Sequence, residues 1–326
     1  MTFLKAVLLL ALCSVATVLL QAQSLEGFVP ADATTVASFK LREIFNLPVF
    51  KNEKNSEIQE LRSKIEKFDF TGSGIPRRIM AIYGSSYKKP IILIPTALPA
   101  SQFEEQLKKI SKEIPDIKYE KLTQGNFEGY RISSSTKIGQ SDSFYVYHLT
   151  RDVIAVLMDD TISPGYLQAG STPNPLTRVA THGDSNELVR IVNAGLIPNV
   201  LEQNAQGLQQ ILITISKANA IADSFKGYAE LSFDKPEAAG QATMMLQMLF
   251  TIMTPTLFKE NPTLSSDIIK AVGFQTKGNK TIIDAHVTAA LLDKLKTELE
   301  NVSRDWVGNN VANSTTTAPT APLVVQ

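Results

Sequence analysis

Thiol chemistry is nearly excluded by composition, because Cys13 is the sole cysteine among 326 residues. One cysteine forms no intrachain disulfide and builds no cysteine zinc cage. Histidine is almost as scarce. His148, His182 and His286 are far apart in the chain and lack the paired spacing of a sequence-local metal site. Neither sign of charge is in excess, with 32 Lys+Arg against 32 Asp+Glu, so nothing draws the chain to nucleic acid or to anionic headgroups. The basic pairs Arg77-Arg78, Lys88-Lys89 and Lys108-Lys109 are interspersed with acids and read as solvated faces. A phosphate-cradling loop is missing too: Gly72-Ser73-Gly74 runs into Ile75-Pro76 instead of a helix start with Lys-Ser or Lys-Thr. No cofactor or metal is implied.

Long apolar runs are absent but for one. Lys5 is followed by an apolar run from Ala6 to Leu20, interrupted by Ser14 and Thr17, and then by Gln21-Ala22-Gln23-Ser24, the order of charge, apolar core and small residues that marks an export signal. Residues 1–23 are assigned as that signal, with cleavage near Ala22 to Ser24. Retention as an N-terminal anchor is the alternative, since a membrane helix needs about 20 mainly apolar residues. Lipid attachment at Cys13 is a third option, disfavoured by the bulky Leu12 before it. The chain is therefore read as secreted or periplasmic, touching a membrane only through this segment if it is uncleaved. Cleavage removes the one cysteine, so about 300 residues at 44% hydrophobic composition must hold together by their core.

Beyond the signal the chain repeats itself at an offset of about 152 residues. Thr123-Gln124-Gly125-Asn126 matches Thr276-Lys277-Gly278-Asn279, and each Gly-Asn pair sits between alternating segments as a hairpin turn does. Val36 to Leu41 has its counterpart in Leu188 to Val192. A strand followed by a Pro-started helix recurs at Pro90–Phe103 and Tyr228–Ala239. The fold expected is α+β: two related halves, each a mainly antiparallel sheet with packed helices, the second more helical. The bounds are 24–162 for the first half, 163–184 for a Pro/Gly-rich linker, 185–308 for the second half and 309–326 for a disordered tail. One larger α+β domain with coincidental hairpins is the competing plan. Within the halves, helices are expected over Glu53–Lys67, Ala100–Glu113, Ser185–Asn193, Pro198–Ala222, Pro236–Phe258 and Thr288–Trp306.

Candidate chemistry is thin. Gly183-Asp184-Ser185 invites comparison with the nucleophile block of serine esterases, and Asp284 and His286 share a strand face, making a Ser185, Asp284, His286 set the one conceivable hydrolase triad. The plainer reading is that Asp184 or Ser185 caps a helix starting after it. Asp159-Asp160 near His148 reads as a turn. The segment from Met244 to Met253 is apolar on nearly all sides, so it is either a central core helix or a groove wall in which Met244, Met245, Met248 and Met253 meet an apolar ligand. Sequons at Asn279, Asn301 and Asn313 matter only in a host that glycosylates exports.

The segment Phe28-Val29-Pro30-Ala31-Asp32-Ala33 followed by Val36, directly after a signal, resembles uncharacterised secreted proteins of bacteria whose mature part opens with Pro-Ala-Asp and whose second half repeats the plan of the first. The resemblance implies a bacterial envelope or extracellular protein and brings no catalytic residues. The expected function is a non-catalytic binding or scaffold module for an unknown protein partner. The alternatives are a carrier of an apolar ligand and, third, a serine hydrolase.

Overall fold

In a computed structural model, the structure describes residues 25–47, 75–114, 116–138, 141–158, 162–167, 174–181, 183–194, 206–218, 224–295 and 298. The signal segment, the helix expected at 53–67, Asp159-Asp160, His182, Asn301, Asn313 and the tail lie outside them.

Twelve strands form one continuous antiparallel sheet, so the described strands join where two separate sheets were expected. In chain order they are β1 (Ala33–Phe39), β2 (Ile79–Gly84), β3 (Tyr87–Pro95), β4 (Ile117–Gln124), β5 (Phe127–Ile138), β6 (Ser141–His148), β7 (Val153–Leu157), β8 (Glu187–Asn193), β9 (Leu208–Lys217), β10 (Ser224–Phe233), β11 (Val272–Lys277) and β12 (Lys280–Thr288). Their order across the sheet is β11-β12-β10-β9-β8-β1-β2-β3-β7-β6-β5-β4. The seam is β1 against β8, with Val36 opposite Val192 and Ala37 opposite Ile191. The two Gly-Asn hairpins fall at opposite outer ends, and both glycines take the positive φ their turns require, 61° at Gly125 and 60° at Gly278.

Five helices of the described chain matter below: α1 (Leu41–Phe45), α2 (Ala100–Glu113), α3 (Pro175–Thr181), α4 (Pro236–Leu257) and α5 (Pro262–Ala271). Residues 289–295 are also helical. Helix α2 has the bounds its sequence pattern predicts. Phe103, Leu107 and Ile110 recur at helical spacing and are buried against Tyr130, Ile132 and Val156, each contributing roughly 1.5–3 kcal/mol.

Two expected helices are strands. Ser185–Asn193 became β8, and the described part of Pro198–Ala222 became β9. Short apolar runs do not separate the two periods, and the β-branched content of Val189, Ile191, Val192, Ile211, Ile213, Thr214 and Ile215 prevailed. The second half is therefore less helical than expected in its opening part.

Both faces of the central strands are covered. One core gathers Ala37, Ile79, Ile92, Ile154 and Val156 under α1 and α2. The opposite core gathers Val36, Met80, Ile91, Leu93 and Leu157 beneath a 3-10 turn (Leu25–Phe28) and α3. A third, smaller core lies between α4 and the strands β9 and β10, with Phe233 and Ala239 at its centre.

The described residues of the stretch read as a linker bond to this body. Asn174, 3% exposed, donates from Nδ2 to the carbonyls of Pro30 (2.9 Å), Ala31 (3.1 Å) and Ala33 (3.0 Å). Asp32 accepts from Ser86 Oγ at 2.6 Å and from the Tyr166 hydroxyl. The Pro-Ala-Asp segment is thus pinned to β1 and the β2–β3 turn by residues from 163–184.

Candidate functional site

The register across the sheet locates the hydrolase candidates. His286 lies opposite Lys226, Lys226 opposite Ser216, and Ser216 opposite Glu187 at the start of β8. Ser185, two residues before Glu187, is separated from His286 by three strand spacings, about 14 Å. Its hydroxyl donates to Asp184 Oδ1 at 3.2 Å, and the same oxygen accepts from the Asn186 backbone N–H at 3.1 Å. These bonds hold the Asp184 carboxyl below its ordinary range. They close a turn that leads into a strand, which replaces the helix cap expected there. Asp284 accepts from Gln275 Nε2 at 2.8 Å. Asp284 and His286 do share an exposed face of β12, and neither reaches Ser185. The three residues do not assemble into a hydrolase triad.

A small cleft opens beside the seam, lined by Lys40, Arg78, Asp184, Glu187 and Arg190. Its cations are already engaged. Lys40 Nζ donates to the carbonyls of Ser185 (2.8 Å) and Asp184 (3.2 Å), and partial burial lowers its pKa. Arg190 Nη1 grips both Glu187 oxygens at 2.7 and 2.9 Å, and Arg78 pairs with Glu26 at 3.2 Å. Lys40 thus ties the end of β1 to the turn before β8 at one end of the seam, and the charged groups of the cleft are engaged with one another and with the backbone.

His148 sits on β6 with its ring edge against Phe103 of α2 (centroids 5.3 Å, planes at 87°). Its Nε2 is buried without a partner, and burial lowers its pKa, offset in part by the Glu128 carboxylate. No group of three or more His, Cys, Asp or Glu is placed to hold a metal among the described residues.

The Met-rich segment departs furthest from expectation. Helix α4 runs its full predicted length, yet it is not a core helix. Ala239, Ala242 and Leu246 are turned to the sheet, where they pack with Leu208, Ile211, Leu231 and Phe233. On the β11 side, Thr243 Oγ1 donates to the Ala239 carbonyl (2.9 Å) and meets Thr281 Oγ1 (3.0 Å) and Thr276 Oγ1 (2.9 Å), while the Phe250 ring packs on Phe274. The opposite surface is bare: Met244, Met248 and Ile252 are 67%, 56% and 60% exposed. Met244, Met248 and Ile252 recur every four residues and form one ridge.

Beside the ridge the cover ends: α4 packs over β10, β11 and β12 and leaves the β9 face open, so helix flank and bare strand form an apolar step, or notch. Leu249 and Met253 continue the flank begun by Ala242 and Leu246, toward β9, and both remain exposed. The floor follows from register: Ala37, Ile191, Ile213, Ala229 and Ile283 lie in one row on the face that carries α4. Ile213 and Ile215, beyond Ile211 on that face, are 38% and 40% exposed. Of the four methionines proposed as a groove wall, Met244 and Met248 stand on the ridge, Met253 on the notch flank, and Met245 is half-buried between them. The strand floor was missed from sequence because β9 was read as helix.

No described helix is long and apolar enough to cross a membrane. Compared with protein-family models, with curated proteins and with solved structures, the chain matches none.

Proposed function

We propose that this chain is an exported, non-catalytic binding or scaffold protein of the bacterial envelope or extracellular space, and that the apolar surface of α4 is its docking site. The observation that carries the reading is the exposure of Met244, Met248, Leu249, Ile252, Met253 and Leu257 on one helix. Soluble monomers seldom leave so contiguous an apolar surface open unless something docks on it. Export rests on the charge and apolar order of residues 1–24. The body is read as a duplication of one plan, supported by the antiparallel pairing of the opening strands β1 and β8 and by the matching Gly125 and Gly278 hairpins at the two ends of the sheet.

Carriage of a small apolar ligand is the second reading, favoured by the Ile213 and Ile215 floor beside Leu249 and Met253. A carrier normally encloses 70–90% of its ligand, more than an open helix ridge covers, so a macromolecular partner fits better.

Oxidative footprinting of the methionines tests the docking surface. At high dilution Met244, Met248 and Met253 are expected to oxidise at least ten times faster than buried Met80, because sulfoxide formation follows exposure. Protection of all three to the level of Met80 at high dilution would show the chain covering its own helix, and the docking reading would fall.

A further inference from the structure

Resting on the α4 docking surface proposed above, we infer that its occupant is a second copy of this chain, paired through a two-fold contact in which the Met244–Met248–Ile252 ridge of each copy enters the notch of the other.

Three observations select this partner. The first is charge. Between Glu237 and Lys259 no residue ionises, so the helix offers nothing for an acidic or basic partner to read. A helix that lies on a membrane carries Lys and Arg along its polar face, and α4 has none there. An uncharged apolar surface can meet its own copy without like-charge repulsion.

The second is shape. A two-fold interface must be self-complementary, since the same patch serves both sides. Here a ridge (Met244, Met248, Ile252) and a notch (flank Leu249 and Met253, floor Ile213 and Ile215) lie side by side on one subunit. Unbranched methionines are suited to filling an irregular notch.

The third is area. The seven residues of ridge and notch (Met244, Met248, Leu249, Ile252, Met253, Ile213 and Ile215) are each 38–67% exposed, apolar surface on the scale of the ~800 Å² per partner of a standard stable interface. That is more than a lone small ligand would cover. The surface also lies toward the β11 end of the sheet, away from α2 and the β4 edge.

The test is sedimentation equilibrium of the full chain, with methionine footprinting at each concentration. A dimer in the micromolar range is expected, with Met244 and Met248 oxidation slowed at least fivefold as the dimer fills. Met248→Lys on the ridge and Ile215→Lys on the floor are each expected to weaken dimerisation more than tenfold while the far-ultraviolet spectrum is unchanged. Should either lysine variant misfold, the doubly substituted Met248→Cys, Ile213→Cys chain in a Cys13→Ser background must form an interchain disulfide on mild oxidation. A chain monomeric to 100 µM with its methionines still reactive overturns the self-pairing and leaves the docking surface for another partner. Methionines protected even in the monomer overturn both readings. A dimer indifferent to both lysines, or sensitive to only one, overturns the ridge-in-notch contact.

Discussion

His148 shows how one buried residue contributes a pH response. Its imidazole is wedged between β6 and Phe103, and its Nε2 has no partner. Burial disfavours the charged ring, so the folded state holds the proton less tightly than the unfolded chain, whose histidine titrates near 6.5. The unfolded state therefore binds more protons once the pH falls below about 6.5, and stability declines there. The chain is expected to show a lower urea midpoint at pH 5 than at pH 7.5, and His148→Leu should flatten that slope. Equal slopes in the two proteins would remove His148 as the cause.

Asn174 is the other residue whose weight is disproportionate. One buried amide serves three carbonyls of the Pro30–Ala33 segment. Asn174→Ala removes the amide's two N–H donors from this cluster, although the Pro30 carbonyl keeps the Ala33 N–H, and is expected to cost about 2–4 kcal/mol in chemical denaturation, against about 0.5 kcal/mol or less for an exposed polar site. A cost below 1 kcal/mol would mean that water replaces the amide freely. The Asn279 sequon illustrates the same point in reverse: its side chain donates to the Phe233 carbonyl at 2.7 Å and Thr281 is fully buried, so the triplet is occupied by the hairpin it belongs to.

Among the elements, α4 separates propensity from burial. Its length and its Pro236 start were legible, because a Pro at the first turn gives up no needed N–H and the following residues favour helix. Which side faces the sheet was not legible, since apolar residues occur around nearly the whole circumference. The sheet chose the side bearing Ala239, Ala242 and Leu246, small enough to let the helix approach Phe233 and Leu231. Leu246→Ala is thus expected to destabilise by about 1–2 kcal/mol, while Met248→Ala changes the monomer by no more than about 0.5 kcal/mol. Denaturation at a concentration below dimerisation checks the contrast, and equal costs would contradict the orientation of the helix. Strands β8 and β9 carry the opposite lesson. Their β-branched residues favoured strand, yet the irregular apolar spacing mimicked a helix until pairing with β1 and β10 supplied the missing hydrogen bonds.

Across the whole molecule the seam between β1 and β8 decides the behaviour. The row Ala37, Ile191 and the Lys40 bonds to Asp184 and Ser185 join the two ends of the sheet without a break. The described part of segment 163–184 contributes α3 to the core on the opposite face, with Val36 and Val192, and its Asn174 holds the Pro30–Ala33 segment. Separate domains would melt apart; a shared sheet ties them. Calorimetry is expected to show one cooperative transition with equal calorimetric and van't Hoff enthalpies. Two resolved transitions would count against the seam as a stability-bearing contact.

What the sequence determined by itself was local. It fixed the apolar leader pattern, the Gly125 and Gly278 turns, the bounds of α2 and the start of α4, because propensity, turn geometry and composition act over a few residues. Only the tertiary structure decided that the strands form one sheet, that Ser185 and His286 stand three strands apart, and that the Met-rich helix shows its ridge to solvent. Those outcomes depend on which distant segments pair and which face is covered. Local periodicity cannot encode that choice when a segment is apolar on every side.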